Sequence, residues 1–539
     1  MRPTLRVVLG LGLALSAAGC SDYLSGPGVT TDPNNISSLT RPGPLYVAIQ
    51  VALSPQREGQ MARDAMEYMQ QIAGVARQQL STDRYLESPT GTDTYFGAIY
   101  GSTNVSTGGG GLLDIHKMEQ LARKADDSLY VGIGKVYEAL VMGFAADIWG
   151  DVPYRQAADS TILKPRFDPQ LQVYADLQAN LDSAVHVYLA ATGQSNLGPP
   201  QDNAELIYAG RNAAGLRAVY TAVAHSLKAR LYMHTAAVDP TAYQKALAEA
   251  AQGISTPDDD FLLYSDATAS NNNIWWQFNS ARAGDIGPGA AVVEIMKRRA
   301  AAGVEDAQRL NFYFTGADGA SPAPVSDFFG YRPAATTNMV TSGTIYNGNG
   351  SPASAYSFFA SAFDGATGPG DFRMPELSYA ETQLILAEAT WHVSCAACAP
   401  TTVVGAAQPF LDNARRNRHY GMTGGAPVIF GDAPGTLPAT LQNIMEEKYV
   451  TLFLNPEVWN DWKRTCLPSL APTPPAGSTK PGTSPIPGRL PYGLTEINAN
   501  SNTPGTSSAG VPVTSVSRNP NQPAACPVLN YTNSNPLAN

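Results

Sequence analysis

Residues 217–254 read RAVYTAVAHSLKARLYMHTAAVDPTAYQKALAEAAQGI, and their spacing predicts two helices folded back on each other. Val219, Val223, Leu227 and Leu231 recur every four positions, which gathers them on one helical face. Asp239 then stands as a cap, and Pro240 follows at the first helical position, where a missing N–H costs nothing. Tyr243, Leu247, Ala250 and Ile254 make the facing stripe.

The same pattern recurs on both sides of this hairpin. In GKVYEALVMGFAADIWGDVPY (134–154), Val136, Leu140, Phe144 and Ile148 form an apolar stripe that stops at Gly150, with Pro153 confirming the break. LQVYADLQANLDSAVHVYLAA (171–191) is a second amphipathic segment. A further pair comprises SYAETQLILAEATWHV (378–393), opened by the capping box Ser378-x-x-Glu381, and AAQPFLDNARRNR (406–418). TLQNIMEEKYVTLF (440–453) is the last long helix. Stacked helix pairs with alanine-rich contacts resemble tetratricopeptide-type hairpins, so the expected fold is mainly α. Two stretches, about 255–375 and 467–539, read as loop-rich; the second holds fourteen of the 41 prolines and suits an irregular, docked tail.

The N-terminus predicts export. Arg2 and Arg6 precede the apolar run VVLGLGLALSAA, and Ala18-Gly19-Cys20 closes it. Cys20 after Ala-Ala-Gly resembles a lipoprotein lipobox, with Ala17 standing where Leu is usual. The expected organisation is a signal peptide over 1–19, a lipidated tether over 20–42, and a single domain over 43–539. Four cysteines remain, and they allow three pairings. Cys395–Cys398 as a tight local loop and Cys466–Cys526 as a long staple is the favoured one. The alternative for HVSCAAC is zinc held by His392 and two thiolates, although a fourth ligand is not apparent.

Composition narrows the chemistry. The 539 residues are 44% hydrophobic and 15% charged, with a net charge of −10 and pI about 5.2, so a nucleic-acid partner is not expected. No G-x-S-x-G elbow, H-E-x-x-H, Walker loop or Rossmann fingerprint occurs, and TGGGGL (107–112) lacks the Lys-Ser/Thr of a phosphate cradle. No enzyme activity, cofactor or metal is expected.

Four segments, in order, resemble the SusD/RagB family of outer-membrane nutrient-binding lipoproteins, in its SusD-like branch. FAADIWGDVPYRQA (144–157) is similar to a helix end with an "fGdvPy" turn, and MPELSYAETQLILAEA (374–389) to a "p.l.yAE..lilAEA" helix. IMEEKYVTLFLNPEVWNDWKRTCLPSL (444–470) resembles "i..qKw.al..n..eaW.dwrRtgyP.l", and IPGRLPYGLTEINAN (486–500) resembles "iP.RlpYp..E...n". Cys466 replaces the usual Gly and Gly493 the usual Pro. The resemblance implies a tetratricopeptide-like scaffold carrying a loop-rich lobe. It also implies a lipid-anchored protein on the outer membrane, facing the exterior. Such a protein binds oligosaccharides or other nutrients and partners a TonB-dependent, SusC-like barrel transporter. An envelope scaffold binding other proteins and a glycoside hydrolase are the alternatives.

The expected site is NNNIWWQFNSAR (271–282). Sugar faces present C–H groups to flat rings while rim hydroxyls suit amides and guanidiniums. Trp275, Trp276 and Phe278 are therefore candidate platforms, with Asn273 and Arg282 as polar partners; the competing reading has both indoles plugging a seam. Tyr95 and Phe96 are added because the family draws an aromatic from the segment before its early helices, and Tyr313 in LNFYFTGADGASPAP (310–324) is added, with Asp318 beside it. Trp149, Trp391, Trp459 and Trp462 lie on helix stripes and are expected in the core, and Tyr154 closes a turn.

Overall fold

The computed structural model describes residues 40–101, 109–159, 161–191, 198–268, 270–303, 307–316, 321–333, 357, 359–360, 363, 368–416, 418–430, 436–473 and 486–504. Cys20 and Cys526, residues 1–39 and Asp318 therefore lie outside the described residues. The contact pattern divides the chain at the Pro42/Gly43 junction, and Gly43–Asn539 form one compact unit.

Antiparallel helix pairs make the scaffold, which is tetratricopeptide-like and mainly α. In chain order the elements before it are α1 (Gly43–Glu58), α2 (Gln60–Tyr68), β1 (Ile72–Gly74), α3 (Arg77–Asp83), α4 (Pro89–Tyr100) and α5 (Leu112–Lys124). Helix α6 (Ser128–Trp149) begins where Asp127 accepts from the Leu129 and Tyr130 N–H groups, and ends at Gly150, whose φ of 85° needs glycine. By length and composition α6 could cross a membrane, but its apolar window is 94% buried inside the protein. After the short ladder of β2 (Val152–Pro153) with β3 (Phe167–Asp168), α7 (Gln170–Ser183) packs back on α6 and runs into a π-helical turn, Ala184–Leu189.

The hairpin of residues 217–254 is α8 (Ala213–Thr235) and α9 (Ala242–Ala250). Leu216, Val219, Val223, Leu227 and Leu231 are buried as their spacing requires. The second helix starts two residues later than Pro240, because Asp239 turns its carboxylate to the Thr241 N–H (2.8 Å) and hydroxyl (2.7 Å) and closes a turn of its own.

Between α9 and the next hairpin, the described residues of the segment read as loop-rich include the helices α10 (Ile274–Ala281), α11 (Ala290–Ala301) and α12 (Ala307–Tyr313). Each is short, so its period was diluted by the surrounding turns. β4 (Phe261–Leu262) pairs antiparallel with β6 (Pro375–Leu377), joining the two ends of that segment, and β5 (Ile286–Pro288) pairs antiparallel with β1, tying its interior to the N-terminal elements.

Helix α13 (Tyr379–Ser394) packs on α9, on α14 (Gln408–Arg416) and on α15 (Leu441–Thr451). Ser378 caps it as expected, its hydroxyl accepting from the Glu381 N–H at 3.1 Å. The carboxylate of Glu381, however, bonds Arg230 (2.7 and 2.6 Å), which also donates to Glu376 (2.9 Å). This fully buried ion cluster ties α8 to α13. Such groups are stable only when paired, since desolvating an isolated charge is prohibitive. Helix α16 (Glu457–Thr465) adds Asp461, 2.8 Å from Lys448. The hairpin β7 (Arg418–Thr423) with β8 (Ala426–Phe430) projects between α14 and α15 in sequence.

Beyond α16, residues 486–504 dock as an irregular strap with one short helix, α17 (Leu494–Ala499). Trp149 and Trp459 donate their indole N–H groups to the Pro491 and Pro487 carbonyls, both at 2.9 Å. All four tryptophans expected in the core are buried there. Cys395 and Cys398 are joined by a disulfide, and His392 stacks on Tyr243 at 4.0 Å, so neither thiolate nor imidazole is offered to zinc. Cys466 is also disulfide-bonded.

Candidate ligand-binding site

The double-tryptophan stretch folds as α10 because Asn273 caps it, accepting from the Trp276 N–H at 3.1 Å. The Asn273 amide donates to Glu58 (2.8 Å) and to the Phe372 carbonyl (3.2 Å), and the Ile274 N–H reaches the second Glu58 oxygen at 3.3 Å. Asn273 is thus a fully buried clasp between α1 and α10 rather than a ligand contact. Burial pushes the Glu58 carboxyl up to about 8, with Glu376 adding to it and the two hydrogen bonds pulling the other way.

On a helix the two indoles part by about 100°. Trp275 turns inward and is 1% exposed, so the expected platform at this position is a core plug. Trp276 is half-buried and donates to the Gly368 carbonyl at 2.9 Å. Phe96 is buried against Trp149 (5.0 Å between rings), and Tyr313 is buried against Phe453 (4.4 Å) with its hydroxyl on the Val450 carbonyl (3.0 Å). Both were candidate ligand contacts, but they sit on helices α4 and α12 and point into packed rings.

What the fold brings together is a different subset. Phe278 and Arg282, one helical turn apart on α10, both remain partly open. Arg63 on α2 lays its guanidinium over the Phe278 ring at 4.0 Å from the centroid. Tyr95 on α4 is half-buried within electrostatic reach of Arg63. Asp285, which follows α10 and precedes β5, is buried. Arg77 reaches it at 3.0 Å and Arg282 at 3.8 Å. Sequence reading missed Arg63, Arg77, Asp285 and Glu58, none of which carries a local signal; they are assembled by the β1–β5 pairing and the docking of α10 on α1.

Behind Arg63 lie Asp64, Glu67, Asp83 and Glu87. Burial pushes the Asp64 and Glu67 carboxyls well up, with Glu87 adding at the first and Asp83 at the second.

Asp147, His234 and Glu457 also converge, with His234 Nδ1 2.9 Å from Asp147 and Nε2 2.8 Å from Glu457. The two ring nitrogens face different carboxylates, so no single ion position takes all three ligands. Burial pulls the imidazole pKa down, but the two carboxylates outweigh it and raise it to about 9. The cluster is an imidazolium bridge inside the scaffold.

A family model described as starch-binding and associating with the outer membrane, SusD-like, matches residues 33–493. No curated protein sequence matches. Among solved structures, a chitin-binding protein superposes with TM-score 0.63 at 19% identity, covering 86% of this chain and 95% of that one. A SusD/RagB family protein of Bacteroides thetaiotaomicron gives 0.59 at 18%, covering 86% and 95%. A SusD homologue of Bacteroides fragilis gives 0.61 at 15%, covering 88% and 98%.

Proposed function

This chain belongs to the SusD-like family, and from that premise we propose that it is a non-catalytic, glycan- or nutrient-capturing protein of the outer membrane. Its anchor is the lipid on Cys20, it faces the exterior, and it passes cargo to a TonB-dependent, SusC-like barrel. The starch-binding description of the family and the chitin-binding structural neighbour support a carbohydrate ligand.

One observation carries the reading. Phe278 and Tyr95 are partly open rings held on separate rigid helices, with the Arg63 and Arg282 guanidiniums beside them. A sugar ring offers C–H faces to the former and hydroxyl acceptors to the latter. Trp276 borders the same helix and is the third candidate contact. Asn273 and Trp275 fix α10 from its buried side, whereas Phe96 and Tyr313 belong to other ring clusters of the core.

The test is calorimetry of the full mature chain against a panel of neutral oligosaccharides, with a Phe278→Ala/Tyr95→Ala double variant. Removing two stacking rings is expected to weaken binding roughly tenfold or more. Affinity that is untouched by the double variant, in a protein that still melts normally, rejects this surface. Shortened sugar products after incubation with the protein would instead favour a hydrolase.

A further inference from the structure

Three arginines from three separate elements meet at the rim of this surface: Arg63 from α2, Arg77 from the start of α3 and Arg282 from the end of α10. Their placement is held by strain and by ladder pairing. Arg77 has φ +54°, an uncommon conformation for a long side chain, immediately after a segment in which the Val75 N–H donates to the Asp285 carbonyl at 2.8 Å. The turn aims its guanidinium at the Asp285 carboxylate. The backbone cost persists because β1 and β5 are locked by Gly74↔Ile286 pairing.

The donors outnumber their partners. Arg77 is 64% exposed and Arg282 42% exposed, and both address the single Asp285 carboxylate, the latter at 3.8 Å, beyond hydrogen-bond length. Arg63 is 8% exposed. Its Nη2 donates to Gln60 at 3.1 Å, while Nε and Nη1 are buried with no hydrogen-bond partner. A guanidinium offers five N–H donors in a planar fork that matches a carboxylate. Two of the three guanidiniums thus address one buried carboxylate, Asp285, and the third lies over the Phe278 ring. That gathering of arginines stands out in a chain with net charge −10.

We propose that this surface selects acidic oligosaccharides, specifically uronic-acid chains, over neutral ones of the same length. The sugar faces stack on Phe278 and Tyr95, and a uronate carboxylate docks between Arg77 and Arg282. This rests on the glycan-binding reading above and adds to it the charge class of the ligand.

The experiment compares tetragalacturonate and tetramannuronate with their fully methyl-esterified forms, which keep the sugars and remove the charge. Calorimetry is run on the full mature chain at pH 7 in low and moderate salt. The acid form of at least one tetramer is expected to bind at least tenfold tighter than its ester, and the preference should shrink as salt screens it. An Arg77→Gln variant, which alters one largely exposed side chain and leaves Arg282 beside Asp285, should lose most of the preference while keeping any ester binding, with folding checked by its melting transition. Equal binding of acid and ester, or a preference that the Arg77→Gln variant leaves intact, overturns the proposal. If no tetramer binds, the proposal is likewise overturned, whereas the neutral panel with the Phe278→Ala/Tyr95→Ala variant reports separately on glycan capture.

Discussion

Glu58 offers the sharpest test of how the aromatic helix is held. Its carboxyl is fully buried, accepts from Asn273 and the Ile274 N–H, and titrates near 8 in the folded protein. In the unfolded chain an ordinary glutamate titrates near 4.3. A raised folded pKa means that folding takes up a proton between those values. The stabilisation is fully present below about 4.3 and is lost as pH climbs through 8. Each pH unit costs about 1.4 kcal/mol, so this one group removes about 5 kcal/mol across the window. For a chain of this length one kcal/mol shifts the melting temperature by about 1 °C, giving a change of about 5 °C. Glu58→Gln keeps one acceptor oxygen for one of the two N–H groups and abolishes the titration. Other buried acids titrate in both proteins and cancel in the difference. Calorimetric melting of both proteins from pH 5 to 9 should show the variant level with or below wild type at pH 5, and several degrees above it at pH 9. A difference that stays flat across that range would refute the reasoning, because Glu58 would then be ionised, or solvated, throughout.

Three other outcomes follow from the packing. Arg230→Met strands the buried Glu376 and Glu381 carboxylates, and chemical denaturation should report a loss of about 3–5 kcal/mol. Trp275→Ala empties a core site and should cost about 3–5 kcal/mol, yet the folded fraction should bind glycan as wild type does, as measured by calorimetry below the melting transition. Opening the Cys395–Cys398 bond with a double serine variant frees only a very short loop and should cost about 2 kcal/mol in the chain-entropy account, visible as a small drop in melting temperature.

The helical scaffold was legible because its signals are local. The four-residue spacing of Val219, Val223, Leu227 and Leu231, the Ser378 cap and the break at Gly150 each act within a turn or two of chain. Neighbouring residues can report them without knowledge of the rest. The core tryptophans were legible for the same reason, since Trp459 and Trp462 lie three apart on one stripe. Within the loop-rich segment 255–375, α10, α11 and α12 were not legible because they are too short to outweigh the turns between them. Asn273 and Trp275 were misassigned because composition alone does not say which way a helix faces.

By itself, then, the sequence determined a chain of paired amphipathic helices, an ordered succession of family motifs, and a polar stretch carrying two indoles and a phenylalanine. Only the tertiary structure decided that Trp275 turns inward while Phe278 and Arg282 stay open. It alone brought Arg63, Arg77 and Asp285 to them. Helical periodicity depends on backbone geometry over a few residues, whereas a surface built from residues 63, 77, 95, 278, 282 and 285 exists only after strands and helices distant in the chain have paired. Its electrostatics are likewise a tertiary property, because it is burial that raises the Asp64 and Glu67 carboxyls behind Arg63.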